Sequence, residues 1–218
     1  MYSILEHYLS TNHILMIGMI VTFILTFFLL EHPFSFLPSD QGRAFAVNGS
    51  LSKGKLRGVG FIFVLCFLIS SVLFLPLDVE YVIYGILLFA MMISGYLDDA
   101  SKTPWNEYKK GLIDLVISVV AVLTYMNFNS TTICFGADEI VIPKALFLIL
   151  GVILIWVSVN VTNCTDGVDG LCASLCSVTL LAFGVLFAPI LQKYAMANFL
   201  FLSVLFAYLY FNSSPSSM

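Results

Sequence analysis

Charge is scarce in this sequence. Asp, Glu, Lys and Arg make up 10% of its 218 residues, against about 25% in an ordinary soluble domain. That shortfall excludes a soluble globular fold. The three histidines, His7, His13 and His32, are scattered without metal-ligand spacing. The five cysteines (Cys66, Cys134, Cys164, Cys172, Cys176) contain no CxxC pair. Four of them lie in or beside apolar runs, so they read as small buried hydrophobes and not as a disulfide framework. The GxxxxGK[ST] order of a phosphate-binding P-loop is missing. No basic segment precedes the first apolar run, which is span-length, so no cleavable signal is expected.

What remains is apolar: 60% hydrophobic residues and a mean hydropathy of +1.02. A membrane span needs about 20 mostly apolar residues. The expected fold is an all-α polytopic membrane protein of about seven transmembrane helices. They are drawn over residues 14–30, 59–75, 81–97, 112–125, 145–159, 171–190 and 195–211 in one membrane domain, 1–218. The segment around Gly136 alternates β-formers and reads as a small outer hairpin. Residues 1–12 form a short amphipathic start suited to the interface. Seven of the nine Lys and Arg residues fall in the first and third loops: Arg43, Lys53, Lys55 and Arg57, then Lys102, Lys109 and Lys110. By the positive-inside rule those loops are cytoplasmic. The N-terminus then faces out, and the loop 160–170 and residues 212–218 face in.

The densest polar stretch runs from Asn160 to Gly170. Asn160, Asn163, Asp166 and Asp169 recur every third residue, which drifts about 60° per step on an α-helix and so cannot form one stripe. Gly167 and Gly170 argue that the helix has ended. The expected arrangement is a helix end near Asn163 and a glycine-hinged loop that folds Asp166 and Asp169 over a pocket. A polar turn between two spans is the plainer alternative, but such a turn needs one Asx and one Gly.

A second cluster is Asp98-Asp99-Ala100-Ser101-Lys102. Adjacent carboxylates at a helix end suit Mg²⁺, a hard cation that takes carboxylate, water and phosphate oxygens. They also suit a base whose neighbour resists joint ionisation. The alternative is a solvated helix cap with Lys102 as a topology charge. Lys109 and Lys110 fit topology and anionic headgroups, or a phosphate. Asp114 fits a helix N-terminal acid. In the third cluster, from Ser52 to Gly60, glycines alternate with Lys53, Lys55 and Arg57. This lets amides and cations approach phosphates, although topology alone would also account for the bases. Together, acids and bases on one membrane face point to Mg²⁺-assisted phosphoryl transfer between a soluble phosphate donor and a lipid acceptor. An ion-coupled transporter using intramembrane acids is the competing class, but these acids sit at span ends.

The stretch Asn163-Cys164-Thr165-Asp166-Gly167-Val168-Asp169-Gly170-Leu171, with Asp98-Asp99 upstream, resembles the polyprenyl-phosphate N-acetylhexosamine-1-phosphate transferases. Thr165 before Asp166 makes it most similar to their bacterial phospho-N-acetylmuramoyl-pentapeptide transferase branch. The resemblance implies transfer of phospho-MurNAc-pentapeptide from UDP-MurNAc-pentapeptide to undecaprenyl phosphate. The products are lipid I and UMP, the step belongs to peptidoglycan synthesis, and Mg²⁺ is the cofactor. The sister activity, transfer of GlcNAc-1-phosphate from UDP-GlcNAc, is the alternative. By motif match, Asp98 would deprotonate the lipid phosphate and Asp99 would support the metal or phosphate site. Asn163 and Asp166 would line the sugar-phosphate pocket. Lys53 and Lys102 would contact phosphate or nucleotide. Gly167, Val168, Asp169 and Asn212 would form the nucleoside pocket. The resemblance also implies the bacterial inner membrane with the site facing the cytoplasm, nucleoside-type inhibitors, a homodimer and no nucleic-acid partner. Two departures stand out. The family's basic TPTMGG motif appears only as the Lys53–Gly60 segment, so Lys55 or Arg57 could replace Lys53. The family's FMGD stretch, with the acid expected to be the main metal ligand, would follow Met218. The chain is therefore expected to be part of a longer protein of about ten spans.

Overall fold

A computed structural model describes residues 1–32, 34–38, 54, 56–101, 103, 105–135, 138–166 and 168–213. Lys53, Lys55, Lys102 and Gly167, singled out above, lie outside the described residues. Among the described residues, the regular structure is helical apart from one hairpin. In order, it forms α1 (Tyr2–Leu5), α2 (Thr11–Glu31), α3 (Gly60–Phe74), α4 (Val79–Ala100), α5 (Glu107–Phe128), β1 (Thr132–Phe135), β2 (Asp138–Val141), α6 (Lys144–Thr165), α7 (Leu171–Phe187) and α8 (Gln192–Asn212). Five of these, α2, α4, α5, α6 and α8, are long and apolar enough to cross a membrane. A 22-residue helix such as α4 rises about 33 Å, enough for a hydrocarbon core of about 30 Å. α3 and α7 are apolar but shorter, at 15 and 17 residues.

Local chemistry sets the helix starts. Ser10, Asp78 and Asn106 precede α2, α4 and α5, and each side chain accepts a hydrogen bond from a first-turn amide. This satisfies donors that a helix end would leave orphaned. Pro143 stands before α6, where a missing N–H costs nothing. The hairpin is antiparallel, with Thr132 opposite Val141 and Phe135 opposite Asp138.

α8 is the most enclosed helix and packs against α2, α3 and α7. The buried face of α2 repeats every fourth residue: Ile14, Gly18, Thr22, Thr26 and Leu30. These are mostly small side chains, as expected where helices associate without a hydrophobic drive from lipid. A Cβ on Gly18 would lie 3.1 Å from both Leu200 and Phe74, so the glycine sets how closely α2 meets α8 and α3. α4, α5 and α6 form a row beside this core.

From α2 to α8, successive helices, the shorter α3 and α7 included, run in alternating directions. The ends of α2, α4, α6 and α8 therefore share one end of the bundle with the starts of α3, α5 and α7. At the opposite end, beside the hairpin, Lys193 Nζ lies 2.8 Å from Asp78 Oδ2 and 3.8 Å from Glu80 Oε2. Glu80 is buried, and its Oε1 accepts from Asn129 at 2.6 Å and from the Tyr84 hydroxyl at 3.0 Å. This network ties α4, α5 and α8 together.

The hydrogen bond from Lys193 holds the Asp78 carboxyl below its ordinary value of 3.8. A depressed folded-state pKa means the pair stabilises above pH 3.8 and loses that contribution as pH falls through the folded value. Asp78 is about half exposed, so the pair is worth at most about 1 kcal/mol. Asn caps helices as well as Asp does, so Asp78→Asn isolates the charge. Its thermal midpoint in detergent should lie slightly below that of the unsubstituted protein near neutral pH, and the gap should close below the ordinary carboxylate range.

Candidate functional site

Asp98 and Asp99 occupy the last turn of α4, adjacent in sequence and about 100° apart around the helix. They consequently face different elements. Asp98 turns toward the loop into α5. Its Oδ1 accepts from the Trp105 amide at 2.9 Å, and its Oδ2 lies 3.3 Å from Lys110 Nζ. Trp105 is covered in turn by Lys109, whose Nζ is 3.4 Å from the ring centroid. Ser101 closes the helix end by donating to the carbonyl of Asp98 or Thr103. Asp99 turns toward the segment entering α3, where Arg57 Nε lies 3.9 Å from its Oδ1. Gly58 has φ +68°, and a Cβ there would meet Tyr96 at 3.2 Å. That close approach brings the Arg57 segment against α4.

The second motif lies at the same end. α6 continues to Thr165, two residues past the end expected near Asn163. The polar side chains do not break it, because they bond back to the helix. Asn160 Nδ2 donates to the Trp156 carbonyl and Thr165 Oγ1 to the Val161 carbonyl. Asn163 therefore sits in the final turn of α6 and is exposed, and Asp166 follows directly as the C-cap residue. Val168 and Asp169 are exposed in the turn that follows. Gly170 then takes a left-handed conformation, φ +74°, and starts α7. Its amide donates to Asn212 Oδ1 at 2.8 Å. This bond fastens the loop to the end of α8.

The motifs flank one apolar cluster. Leu30, Leu37, Val59, Ile62 and Cys66 form its buried part, with Tyr96 from α4 and Tyr208 and Phe211 from α8 packed against it. The rings of Tyr208 and Phe63 pack at a tilt with centroids 4.9 Å apart, and Tyr208 lies within reach of the charges of Asp166 and Asp169. Arg57, Asp98, Asp99, Lys110, Asn163, Asp166, Asp169 and Asn212 thus share one end of the bundle. Their side chains do not converge on a closed metal centre: among the described residues no three His, Cys, Asp or Glu side chains could hold one ion. Mg²⁺ is commonly held by one or two carboxylates, with water and substrate phosphates completing its shell. Asp98 and Asp99 fit that open mode.

The reading of the sequence did not find the pairing of Arg57 with Asp99, of Lys110 with Asp98, or the Trp105 amide contact. Nor did it place Asp114, taken above as a helix N-terminal acid. Asp114 is two turns into α5 and only 4% exposed, beyond the first turn where the helix dipole acts. Trp156, unremarked in the sequence, donates from Nε1 to the Gly111 carbonyl at 2.8 Å and joins α5 to α6 beside the site.

Gly170 offers a direct check on the loop. A Cβ there would be 3.7 Å from the Asn212 carbonyl oxygen and from Ser213 Cα, an ordinary contact. The cost of Gly170→Ala should therefore come from the positive φ, about 1–2 kcal/mol. Asn212→Ala should instead leave the Gly170 amide open to solvent. Hydrogen exchange at Gly170 should accelerate in the Asn212 variant without a comparable change in the hairpin.

The pattern described as glycosyl transferase family 4 matches residues 81–218. The phospho-N-acetylmuramoyl-pentapeptide-transferase of Treponema pallidum (strain Nichols) is 31% identical over 224 residues, covering 93% of this chain and 62% of that protein. The protein of the same name from Dictyoglomus turgidum is 25% identical over 213 residues, covering 94% of this chain and 68% of its own. That from Wolbachia pipientis wMel is 27% identical over 179 residues, covering 73% and 52%. This chain spans about three fifths of the length of its Treponema relative. The family match takes in well over half of the chain and contains both the Asp98-Asp99 end of α4 and the Asp166–Gly170 turn, so the chain belongs to glycosyl transferase family 4.

Proposed function

We propose that this chain carries part of a membrane phosphoglycosyl transferase that moves a sugar phosphate from a UDP-sugar to a polyprenyl phosphate. The single observation that carries the reading is the gathering of both acidic motifs at one end of the bundle. There they can meet a water-soluble nucleotide and a lipid head together, on the face assigned to the cytoplasm of a bacterial inner membrane. Acids serving an ion pathway would instead line the middle of the spans. The relatives' name favours phospho-MurNAc-pentapeptide as the group moved; with UDP-MurNAc-pentapeptide as donor and undecaprenyl phosphate as acceptor, the products would be lipid I and UMP.

In this reaction an oxygen of the lipid phosphate bonds to the sugar-bearing phosphorus, and the bond from that phosphorus to the UMP oxygen breaks. A carboxylate can accept about four hydrogen bonds, and Asp98 has two contacts, to the Trp105 amide and to Lys110. Its remaining lone pairs are available to take a proton from the lipid phosphate, while the Trp105 amide holds it in place. Asp99, with Asp98, would hold Mg²⁺, which when bound would neutralise charge on the diphosphate oxygens. Asn163 and Asp166, at the end of α6, would orient the sugar phosphate. Val168, Asp169 and the Gly170 turn, fastened by Asn212, would receive the uracil. Lys53, Lys102 and Gly167 retain the roles the family resemblance gives them, in segments outside the described residues.

The test is UMP release by the full-length protein in detergent, with UDP-MurNAc-pentapeptide or UDP-GlcNAc as donor and undecaprenyl phosphate as acceptor. Release with the first donor only is expected; release with UDP-GlcNAc only would assign the sister activity. Asp98→Asn and Asp166→Asn should each lower kcat by about a hundredfold or more. Undiminished turnover in both would remove the catalytic reading.

A further inference from the structure

Two cations reach the paired carboxylates from opposite sides. Arg57 arrives from the segment before α3, and its backbone is fixed by a 2.7 Å hydrogen bond from its amide to the Pro38 carbonyl. Lys110 stands in the first turn of α5, its amide bonded to the Asn106 carbonyl at 3.2 Å. Neither ion pair is tight. The separations of 3.9 Å for Arg57–Asp99 and 3.3 Å for Lys110–Asp98 exceed the roughly 2.7–2.9 Å of a charge-assisted hydrogen bond. Both cationic side chains remain about one-third exposed. Arg57 approaches Asp99 through Nε, and among the described residues nothing engages its two Nη groups. A guanidinium fork of this kind matches phosphate oxygens.

The charge balance points the same way. Two adjacent carboxylates alone would repel a diphosphate arriving at this end of the bundle. With Arg57 and Lys110 beside them, the local formal charge is zero. Carboxylates needed only as helix caps would not require a cation each from two separate elements.

We propose that Arg57 and Lys110 are the diphosphate-binding cations of this site. They rest against Asp99 and Asp98 in the free protein and shift onto the phosphate oxygens of a nucleoside diphosphate ligand, uncovering the carboxylates. The inference takes its ligand class from the proposed function, but it concerns binding and does not need turnover.

The experiment measures binding of UDP and of uridine to the full-length protein by calorimetry, with KM and kcat for the UDP-sugar alongside. Arg57→Gln and Lys110→Gln should each weaken UDP binding by about tenfold or more, the effect of losing a hydrogen bond to a charged group. Uridine binding should stay unchanged, and KM should rise more than kcat falls. The salt dependence of UDP binding should flatten in both variants. If a Gln variant does not fold, Arg57→Lys and Lys110→Arg replace it. Each keeps the charge but moves the donors, and should weaken UDP binding severalfold. Unchanged UDP affinity and KM, with only a lowered thermal midpoint, would show that the cations merely hold helix ends and would overturn the inference. So would a wild-type protein that does not bind UDP. UDP binding that depends on Arg57 and Lys110, in a protein that transfers no sugar phosphate, would sustain the inference while defeating the proposed function.

Discussion

A helix in lipid can satisfy its backbone internally, but it cannot cheaply bury an unpaired charge. In a chain with so few charged residues, this pushes nearly all the ionic chemistry to the helix ends. The alternating direction of successive helices then sorts those ends into two sets. One set gathers Arg57, Asp98, Asp99, Lys110, Asp166 and Asp169, drawn from four separate polar segments. The other gathers Asp78, Glu80, Asn129 and Lys193. No long-range specificity between polar residues is needed to assemble either group. The length of each apolar run delivers them.

Delivery to one end is not yet registration, and the apolar cluster supplies that. Tyr96 lies less than one turn before Asp98 on α4, and Tyr208 one turn before Asn212 on α8; both pack against the cluster built from Leu30, Leu37, Val59, Ile62 and Cys66. Any rotation of α4 or α8 that moved a motif would have to repack this cluster. Gly18 contributes from further along α2, because its missing side chain lets α2 meet Leu200 of α8 and Phe74 of α3. The bond from the Gly170 amide to Asn212 Oδ1 then attaches the otherwise exposed Asp166–Gly170 turn to the most enclosed helix in the bundle. The loop can present exposed carboxylates while its anchor is held by the core.

The helices and the hairpin were legible in the sequence because their signals are long or strongly patterned. Runs of about 20 apolar residues leave little choice, and alternating β-formers around Gly136 become β1 and β2. The end of α6 was less legible. The Asx spacing and the glycines suggested an end near Asn163, yet inside a helix the side chains of Asn160 and Thr165 can bond the carbonyl four residues back, and they do. Asp114 misled for a related reason. Its place in the sequence, just after Lys109 and Lys110, suggested a helix start, but α5 begins at Glu107 under the cap of Asn106. The residues of the candidate site could be named from their motifs, whereas their partners could not. Which cation meets Asp98 and which meets Asp99 depends on helix rotation, and no local pattern encodes that.

That rotation bears directly on how the two carboxylates can divide their work. Being adjacent, they cannot point the same way. Asp98 is drawn into the α4–α5 connection, where a backbone amide and Lys110 restrain it, and its side chain is 19% exposed. Asp99 faces Arg57 at 3.9 Å and the backbone of Gly58, and its side chain is 34% exposed. A carboxylate held by a backbone amide keeps its position when its lysine moves to a ligand, as a group that must meet one particular proton should. A carboxylate whose charged partner stands 3.9 Å away can exchange that partner, as a group that must take up a cation or release an arginine should. Under the proposed function the two carboxylates would divide their work because neighbouring side chains on a helix face different elements, and exchanging their surroundings would require turning the end of α4 against the cluster that fixes it.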